Sequence, residues 1–263
     1  MTWSPEQYHR FAQERARPFW DLVDLIETDR AIRRAVDLGC GSGELTAAAA
    51  RRLGVRSMLG LDTSPEMLAS AAEHIDGRTT FIHDDLATWS VETKVDLALA
   101  SASLQWVPDH VDVLTRWTAS LAPGGQLAVQ VPDNGGHPSH QIAADLGEDE
   151  PFCSAMGGEV PADPTVVNVL APQAYAELLH ALGYQRQHVR LQVYGPVLDS
   201  TADVAEWMRG TSLTRYFARL PEELHEPMVD EYRRRIVAAL GDRRPYYFAF
   251  RRILFWARRP ERW

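Results

Sequence analysis

The residues best placed to do chemistry lie in Val36-Asp37-Leu38-Gly39-Cys40-Gly41-Ser42-Gly43-Glu44. Glycines at 39, 41 and 43 allow positive φ and let the backbone approach a ligand closely. The helix that follows begins with N–H groups that have no partner within the helix. A dinucleotide site would space its glycines as G-x-G-x-x-G. Here Glu44 and Thr46 stand where either register would need the third glycine. Asp62 follows Gly43 by 19 residues, a spacing at which a carboxylate can accept both ribose hydroxyls. Asp37 would repel a pyrophosphate but suits a cationic amino group. The set favours a nucleoside that carries an amino acid.

These residues need elements to hold them. Arg34–Leu38 is a short β-type run ending at the glycines, and Leu45–Leu53 is alanine-rich and helical. Arg56–Asp62 predicts a second strand. Ser64-Pro65-Glu66 opens a helix that runs to about His74, with Ser as N-cap and Pro at the first helical position. Thr79–His83, Val95–Ala100 and Gly125–Val131 predict further strands, and Val111–Ser120 a helix with Trp117 on its apolar side. Alternation of this kind predicts βαβ units, a parallel sheet and a doubly wound α/β fold. Residues 133–168 are rich in Gly, Pro and acids with little periodicity. Pro172–Leu182 is an amphipathic helix, Arg190–Tyr194 a candidate strand, Asp199–Tyr216 and Pro221–Leu240 helical, and Tyr246–Ala257 one aromatic strand. The second half therefore predicts a mostly helical cap.

The chain has 263 residues, 45% hydrophobic and 24% charged, with net charge −9. A length of this kind suits one large domain or two small ones. The acidic balance argues against broad nucleic-acid or anionic-membrane binding. Two cysteines, Cys40 and Cys153, make neither a disulfide framework nor a cysteine-rich zinc site and fit a reducing cytosol. The polar N-terminus lacks a signal-type apolar run, and no stretch approaches the roughly 18 apolar residues of a membrane span. The expectation is a cytoplasmic, monomeric protein.

Four segments, VDLGCGSG, GLDTSPEML, HDDLATW and LAPGG, together resemble the class I S-adenosylmethionine-dependent methyltransferases. The resemblance implies a mostly parallel seven-stranded Rossmann-like sheet with helical cap insertions, and S-adenosylmethionine as cofactor. It places Asp37, Gly39, Cys40, Gly41 and Gly43 along the methionine portion. Asp62, with Thr63 and Met67 beside it, falls at the ribose. Asp85 and the backbone of Leu86, with Asp84 as neighbour, fall at the adenine, and Ala100 and Ser101 again on the methionine side. Cys40 reads as a small packing residue. The implied organisation is one domain over 1–263: a lid over about 1–30, a cofactor core over about 31–132, acceptor insertions over about 133–245 and a final strand over about 246–258.

A narrower resemblance covers nearly the whole chain. Trp3-Ser4-Pro5-Glu6-Gln7-Tyr8 through Pro18, Ala100 through His110, Gln130-Val131-Pro132-Asp133-Asn134 with Pro138-Ser139-His140, and Phe248 through Phe255 resemble the trans-aconitate methyltransferases. This implies a methyl ester formed on a carboxylate of a small acid, trans-aconitate. A carboxylate is already anionic at pH 7 and needs no general base. It needs capture, orientation and shedding of water. Arginine forks and aromatic walls are therefore the candidates: Arg15, Arg17, Arg251 and Arg252, with Gln105 and Trp106 after the fourth strand and Trp3 and Tyr8 in the lid. Arg251 and Arg252 are adjacent on a strand and face opposite sides. The chain departs from its relatives at Val193–Leu198, at Gln173-Ala174-Tyr175 and over 147–168, all in the presumed cap. Another small-molecule acid or hydroxyl as acceptor is the alternative, and a non-catalytic S-adenosylmethionine-binding protein a weaker one. Asp133, His137 and His140 are spaced irregularly for a metal, and none is expected. The Arg233–Arg235 run reads as a solvated helix face.

Overall fold

The computed structural model describes residues 12–261. The chain divides into two compact units, whose described parts are Ala16–Pro132 with Asn168–Gln192 and 252–261, and 12–15 with Asp133–Val167 and Val193–Arg251.

The first of these is built on a seven-stranded sheet. Its strands are β1 (Arg34–Leu38), β2 (Ser57–Asp62), β3 (Thr79–His83), β4 (Val95–Ser101), β5 (Leu121–Pro132), β6 (Arg186–Tyr194) and β7 (Phe250–Arg258). Their order is β3-β2-β1-β4-β5-β7-β6. The first five pair in parallel, and β7 runs antiparallel to β5 with Val129 opposite Phe255. Helices α1 (Ala12–Val23), α2 (Glu44–Arg52), α3 (Pro65–Ala71) and α4 (His110–Ser120) flank it. The strand order reverses between β1 and β4, the place where open α/β sheets bind ligands. Parallel strands are covered on both faces and read as continuous apolar runs; Val36, Leu38, Ala98, Leu127, Val129 and Phe255 are fully buried. Trp117 and Leu114 of α4 join that core. So does Tyr175 of the helix Pro172–Ala181, whose ring stacks on Phe255 at 4.7 Å between centroids.

The α3 start agrees with the sequence expectation: Ser64 is extended and its hydroxyl accepts the Met67 N–H at 3.2 Å. The strand expected over Gly125–Val131 begins earlier, at Leu121. Gly124 at φ +72° lets the backbone pass through the Pro-Gly-Gly sequence, and a register shift against β4 absorbs the extra residues. β6 likewise begins at Arg186 instead of Arg190.

The other unit is mainly helical. Residues 133–168, expected to be irregular, contain the helices Pro138–Glu148, Phe152–Ala155 and Pro164–Val167. The first is started by His137, whose ring accepts the Ser139 N–H, and by Pro138 at the first helical position. Asp199–Tyr216 is broken into a 3₁₀ turn, Val204–Arg209 and Thr214–Phe217, and Pro221–Leu240 into a 3₁₀ turn and His225–Leu240. The aromatic run Tyr246–Ala257 is not one strand: Tyr246 and Tyr247 pair with Leu198 and Val197 in a separate ladder, and β7 starts at Phe250. Between the two, the Phe248 N–H donates to Pro196 O at 3.0 Å, and Phe248 and Phe250 both pack on the Trp207 ring, at 5.6 and 5.4 Å. Asp163 anchors this unit. It receives His140 Nδ1 at 2.8 Å and Arg215 Nη1 at 3.2 Å on one oxygen and Thr165 on the other.

Candidate functional site

The glycine turn joins β1 to α2. Gly39, Gly41 and Gly43 all have positive φ, at +87°, +55° and +77°. The N–H groups of Gly39 and Cys40 both donate to Leu61 O, at 2.8 and 2.9 Å, which ties the turn to the end of β2. A Cβ on Gly39 would lie 2.3 Å from Ser103 Cβ, whereas one on Gly41 would meet nothing within 4 Å. The turn is thus packed at Gly39 and open at Gly41. Phe81 fills the space over Gly43 and Gly60, leaving no room for a side chain at either.

Two carboxylates flank this turn. Asp62, half-buried at the end of β2, accepts the Gly41 N–H on Oδ2 and the Ser64 N–H on Oδ1, both at 2.9 Å. Asp37 is 2% exposed and accepts the Thr46 hydroxyl at 2.5 Å. Burial pushes its carboxyl up to about 7, with the Thr46 bond opposing and the Asp62 charge adding to the rise. A buried acid of this kind gains a charge when a cation is brought beside it. Cys40 is half-buried, and burial, Asp37 and Asp62 together push its thiol up, away from a reactive thiolate.

Past β3, Asp84 Oδ1 accepts the Asp85 N–H and Asp85 Oδ1 the Ala87 N–H, each at 2.8 Å. Asp84 is half-buried and Asp85 exposed. The backbone here is held by α4: Trp117 Nε1 donates to Leu86 O at 3.0 Å, and Arg116 donates to Ala87 O. Ala100 is buried and Ser101 half-buried at the end of β4, where Ser101 Oγ accepts Gln130 Nε2 at 3.0 Å. Thr63 is exposed and Met67 half-buried. The structure therefore gathers Asp37, the glycines, Asp62, Ala100 and Ser101 at the ends of three neighbouring strands. Thr46, Phe81, Ser103, Arg116 and Trp117 support them; the sequence marks only Trp117, as an apolar-face residue of its helix, and gives none of the five a supporting role. Their signal is tertiary, since each lies on a different element from the group it holds.

The set fits S-adenosylmethionine. Gly41 leaves open space in front of the turn, each Asp62 oxygen keeps a lone pair for a ribose hydroxyl, and the buried Asp37 suits a positive charge.

The expected acceptor residues are spread more widely. Trp3 and Tyr8 lie outside the described residues, as does the Arg15 side chain. Arg17 is exposed on α1. Gln105 is 4% exposed and Nε2 donates to Ala102 O at 2.7 Å. Trp106 is 39% exposed. Arg251 is exposed and pairs with Asp133 at 2.9 Å, while Arg252 is half-buried, so the two differ as neighbours on a strand should. His137 and His140, weighed as metal ligands with Asp133, turn instead to Ser139 and Asp163. Among the described residues no group of three or more His, Cys, Asp or Glu is placed to hold a metal ion, and no helix is long and apolar enough to cross a membrane.

A family described as a methyltransferase domain matches residues 35–125. The trans-aconitate 2-methyltransferase of Deinococcus radiodurans is 41% identical, over 99% of this chain and 100% of that protein. Those of Streptomyces avermitilis and Mycobacterium tuberculosis are 39% and 37% identical, over 96% and 95% of this chain and 95% and 94% of their own lengths. Among solved structures, the Bacillus subtilis YcgJ protein superposes with a TM-score of 0.59 at 14% identity, covering 93% of this chain and 99% of that one. Phosphoethanolamine N-methyltransferase 2 of Haemonchus contortus, in complex with S-adenosyl-L-methionine, does so with a TM-score of 0.58 at 17% identity, covering 93% and 52%. These two likenesses bear on the fold, which is that of the class I S-adenosylmethionine-dependent methyltransferases. Identity sustained from end to end carries the narrower assignment: the chain belongs to the trans-aconitate 2-methyltransferase family.

Proposed function

We propose that this protein transfers the methyl group of S-adenosylmethionine to a carboxylate of trans-aconitate, giving a monomethyl ester. The observation that carries the reading is the end-to-end identity with proteins of that name, 41% over the full length of one of them. The open glycine turn flanked by Asp37 and Asp62 supports it.

When bound, S-adenosylmethionine would supply an electrophilic methyl on a cationic sulfur, and a carboxylate oxygen would form the new C–O bond as the C–S bond breaks, the electron pair staying on sulfur. The acceptor arrives as an anion, so the chain has no proton to move. Its work is to bind, orient and dry the two reactants, which can account for about 7–11 kcal/mol of a barrier. In this reading Asp62 holds the ribose, Asp84, Asp85 and Leu86 the adenine end, and Gly39, Gly41, Ala100, Ser101 and the ionised Asp37 the methionine end. The adenine-side backbone is pinned by Trp117. Of Arg251 and Arg252, which face opposite sides of β7, one is the fork for the acceptor's carboxylates, with Arg15 and Arg17 as further candidate forks and Trp106, Trp3 and Tyr8 as candidate walls. Residues of about 31–132 serve the cofactor and those of about 133–245 the acceptor, within one methyltransferase domain. A cytoplasmic monomer completes the reading, testable by fractionation and sedimentation.

The test is incubation of the protein with methyl-labelled S-adenosylmethionine and, separately, trans-aconitate, cis-aconitate, citrate, isocitrate, itaconate and a monocarboxylate. Base-labile label on trans-aconitate, released as methanol, is expected. Cofactor binding with no label on any acid would overturn the acceptor and leave the fold intact.

A further inference from the structure

The connection from β4 to α4 carries both of the non-glycine residues with positive φ among the described ones, Ala102 at +55° and Asp109 at +56°. Side chains disfavour this conformation, and it persists only where the surroundings over-determine it. The surroundings here do so. The Ala102 N–H donates to Gln130 O at 3.0 Å, and Ala102 O accepts Gln105 Nε2 at 2.7 Å. Gln105 O in turn accepts Asn168 Nδ2 at 2.9 Å. The next carbonyl back, Leu104 O, accepts His110 Nε2 at 2.9 Å. That contact fixes the tautomer: Nε2 carries the proton and Nδ1 accepts the Tyr175 hydroxyl at 2.7 Å. The Tyr175 oxygen then accepts the Leu170 N–H at 3.3 Å. The turn is closed by Trp106 N–H to Ser103 O and Val107 N–H to Leu104 O, both 3.1 Å. Ser103 Oγ donates to Leu38 O and its Cβ packs over Gly39, so the turn bears directly on the glycine turn.

We propose that Gln105 is a positioning residue for the methyl transfer: its amide clamps Ala102 in the left-handed conformation, and the clamped turn sets Trp106 and Ser103. This rests on the reading of the protein as a methyltransferase. Gln105 is buried and its Nε2 is turned onto Ala102 O, inward to the loop. A reaction without acid or base catalysis depends on orientation, so a turn that slackens by a fraction of an ångström lowers the rate of the bound complex more than it weakens binding.

The test compares Gln105→Met, which keeps the length but removes the donor, with Ala102→Gly and the double variant. Glycine holds φ +55° without a clamp. Steady-state kinetics with trans-aconitate, S-adenosylhomocysteine affinity, thermal midpoint and hydrogen exchange at the Trp106 and Val107 amides are read for each. Gln105→Met is expected to lower kcat by about 10–100-fold with KM within about threefold. Its Trp106 and Val107 amides should exchange at least about tenfold faster, and the double variant should regain about fivefold or more in kcat. A raised KM with kcat intact would overturn the proposal in favour of a direct acceptor contact. A double variant no better than the single would overturn it in favour of a general packing role. Should the unaltered protein bind S-adenosylhomocysteine yet methylate no acid, the function reading alone falls. Exchange then decides this proposal, with faster exchange in Gln105→Met supporting the clamp and unchanged exchange overturning it.

Discussion

Asp62 and Gly41 are bonded side chain to backbone, the Gly41 N–H pointing at Asp62 Oδ2 at 2.9 Å. The carboxylate at the tip of β2 therefore shapes the turn at the tip of β1 as well as facing the proposed ribose site. Asp62→Ala should remove both contributions, lowering affinity for S-adenosylhomocysteine at least about 100-fold, since bonds to a charged group contribute about 1.5–3 kcal/mol each. Titration calorimetry checks this. Asp62→Asn, which can still accept the Gly41 N–H, should fall between.

If Asp37 faces the cofactor's cationic end as proposed, cofactor binding should be pH-dependent. Its carboxyl is raised to about 7, so the free protein holds it protonated below that pH and a cationic ligand must expel the proton. Affinity for S-adenosylmethionine should rise about tenfold per pH unit from 5 to 7 and level off above. Asp37→Asn should bind weakly at every pH.

The stability sign is opposite. A raised carboxyl is harmless while protonated, and stability is lost as pH rises from about 4 through 7. Without cofactor, Asp37→Asn should be more stable than the parent at pH 8, by up to about 4 kcal/mol, and equal to it near pH 4. Thermal melts at the two pH values check this.

Gly39 and Gly41 should respond differently to alanine. Gly39→Ala combines φ +87° with a Cβ 2.3 Å from Ser103 Cβ and should cost about 2 kcal/mol or more of stability. Gly41→Ala meets open space and should cost only the conformational part, about 1 kcal/mol, while blocking the cofactor. Melting temperature and calorimetry together separate the two.

Asp163 should matter for folding. Burial pushes its carboxyl up, but the His140 bond and the Arg215 charge outweigh this and hold it well below the usual range. Its contribution is present above about pH 4 and lost as pH falls toward the depressed value. Asp163→Ala leaves the buried Arg215 without its counter-charge and should cost about 3–5 kcal/mol, measured by urea unfolding.

Arg251, exposed and paired with Asp133, is the proposed acceptor fork most open to a ligand. Arg251→Ala should raise KM for trans-aconitate about 10–100-fold with cofactor affinity unchanged.

Local chemistry made part of this protein legible in its sequence. The glycine turn, the Ser64-Pro65 cap and the parallel strands β1 to β4 depend on backbone freedom, capping and apolar runs, which neighbours in sequence decide. Asp37 and Asp62 were legible because their spacing from the glycines is set by one strand and one helix. The helices within 133–168 were not, because His137 caps through its ring and Asp163 gathers its partners from distant positions. The split at Phe248 was hidden because an aromatic run does not say which strand each half pairs with: Tyr246 and Tyr247 pair with Leu198 and Val197, whereas β7 pairs with β5. Only the tertiary structure shows that Gln105 turns onto Ala102, that Trp117 and Arg116 pin the Leu86–Ala87 backbone and that Phe81 covers Gly43. Such contacts join residues whose separation along the chain carries no information about their distance in space.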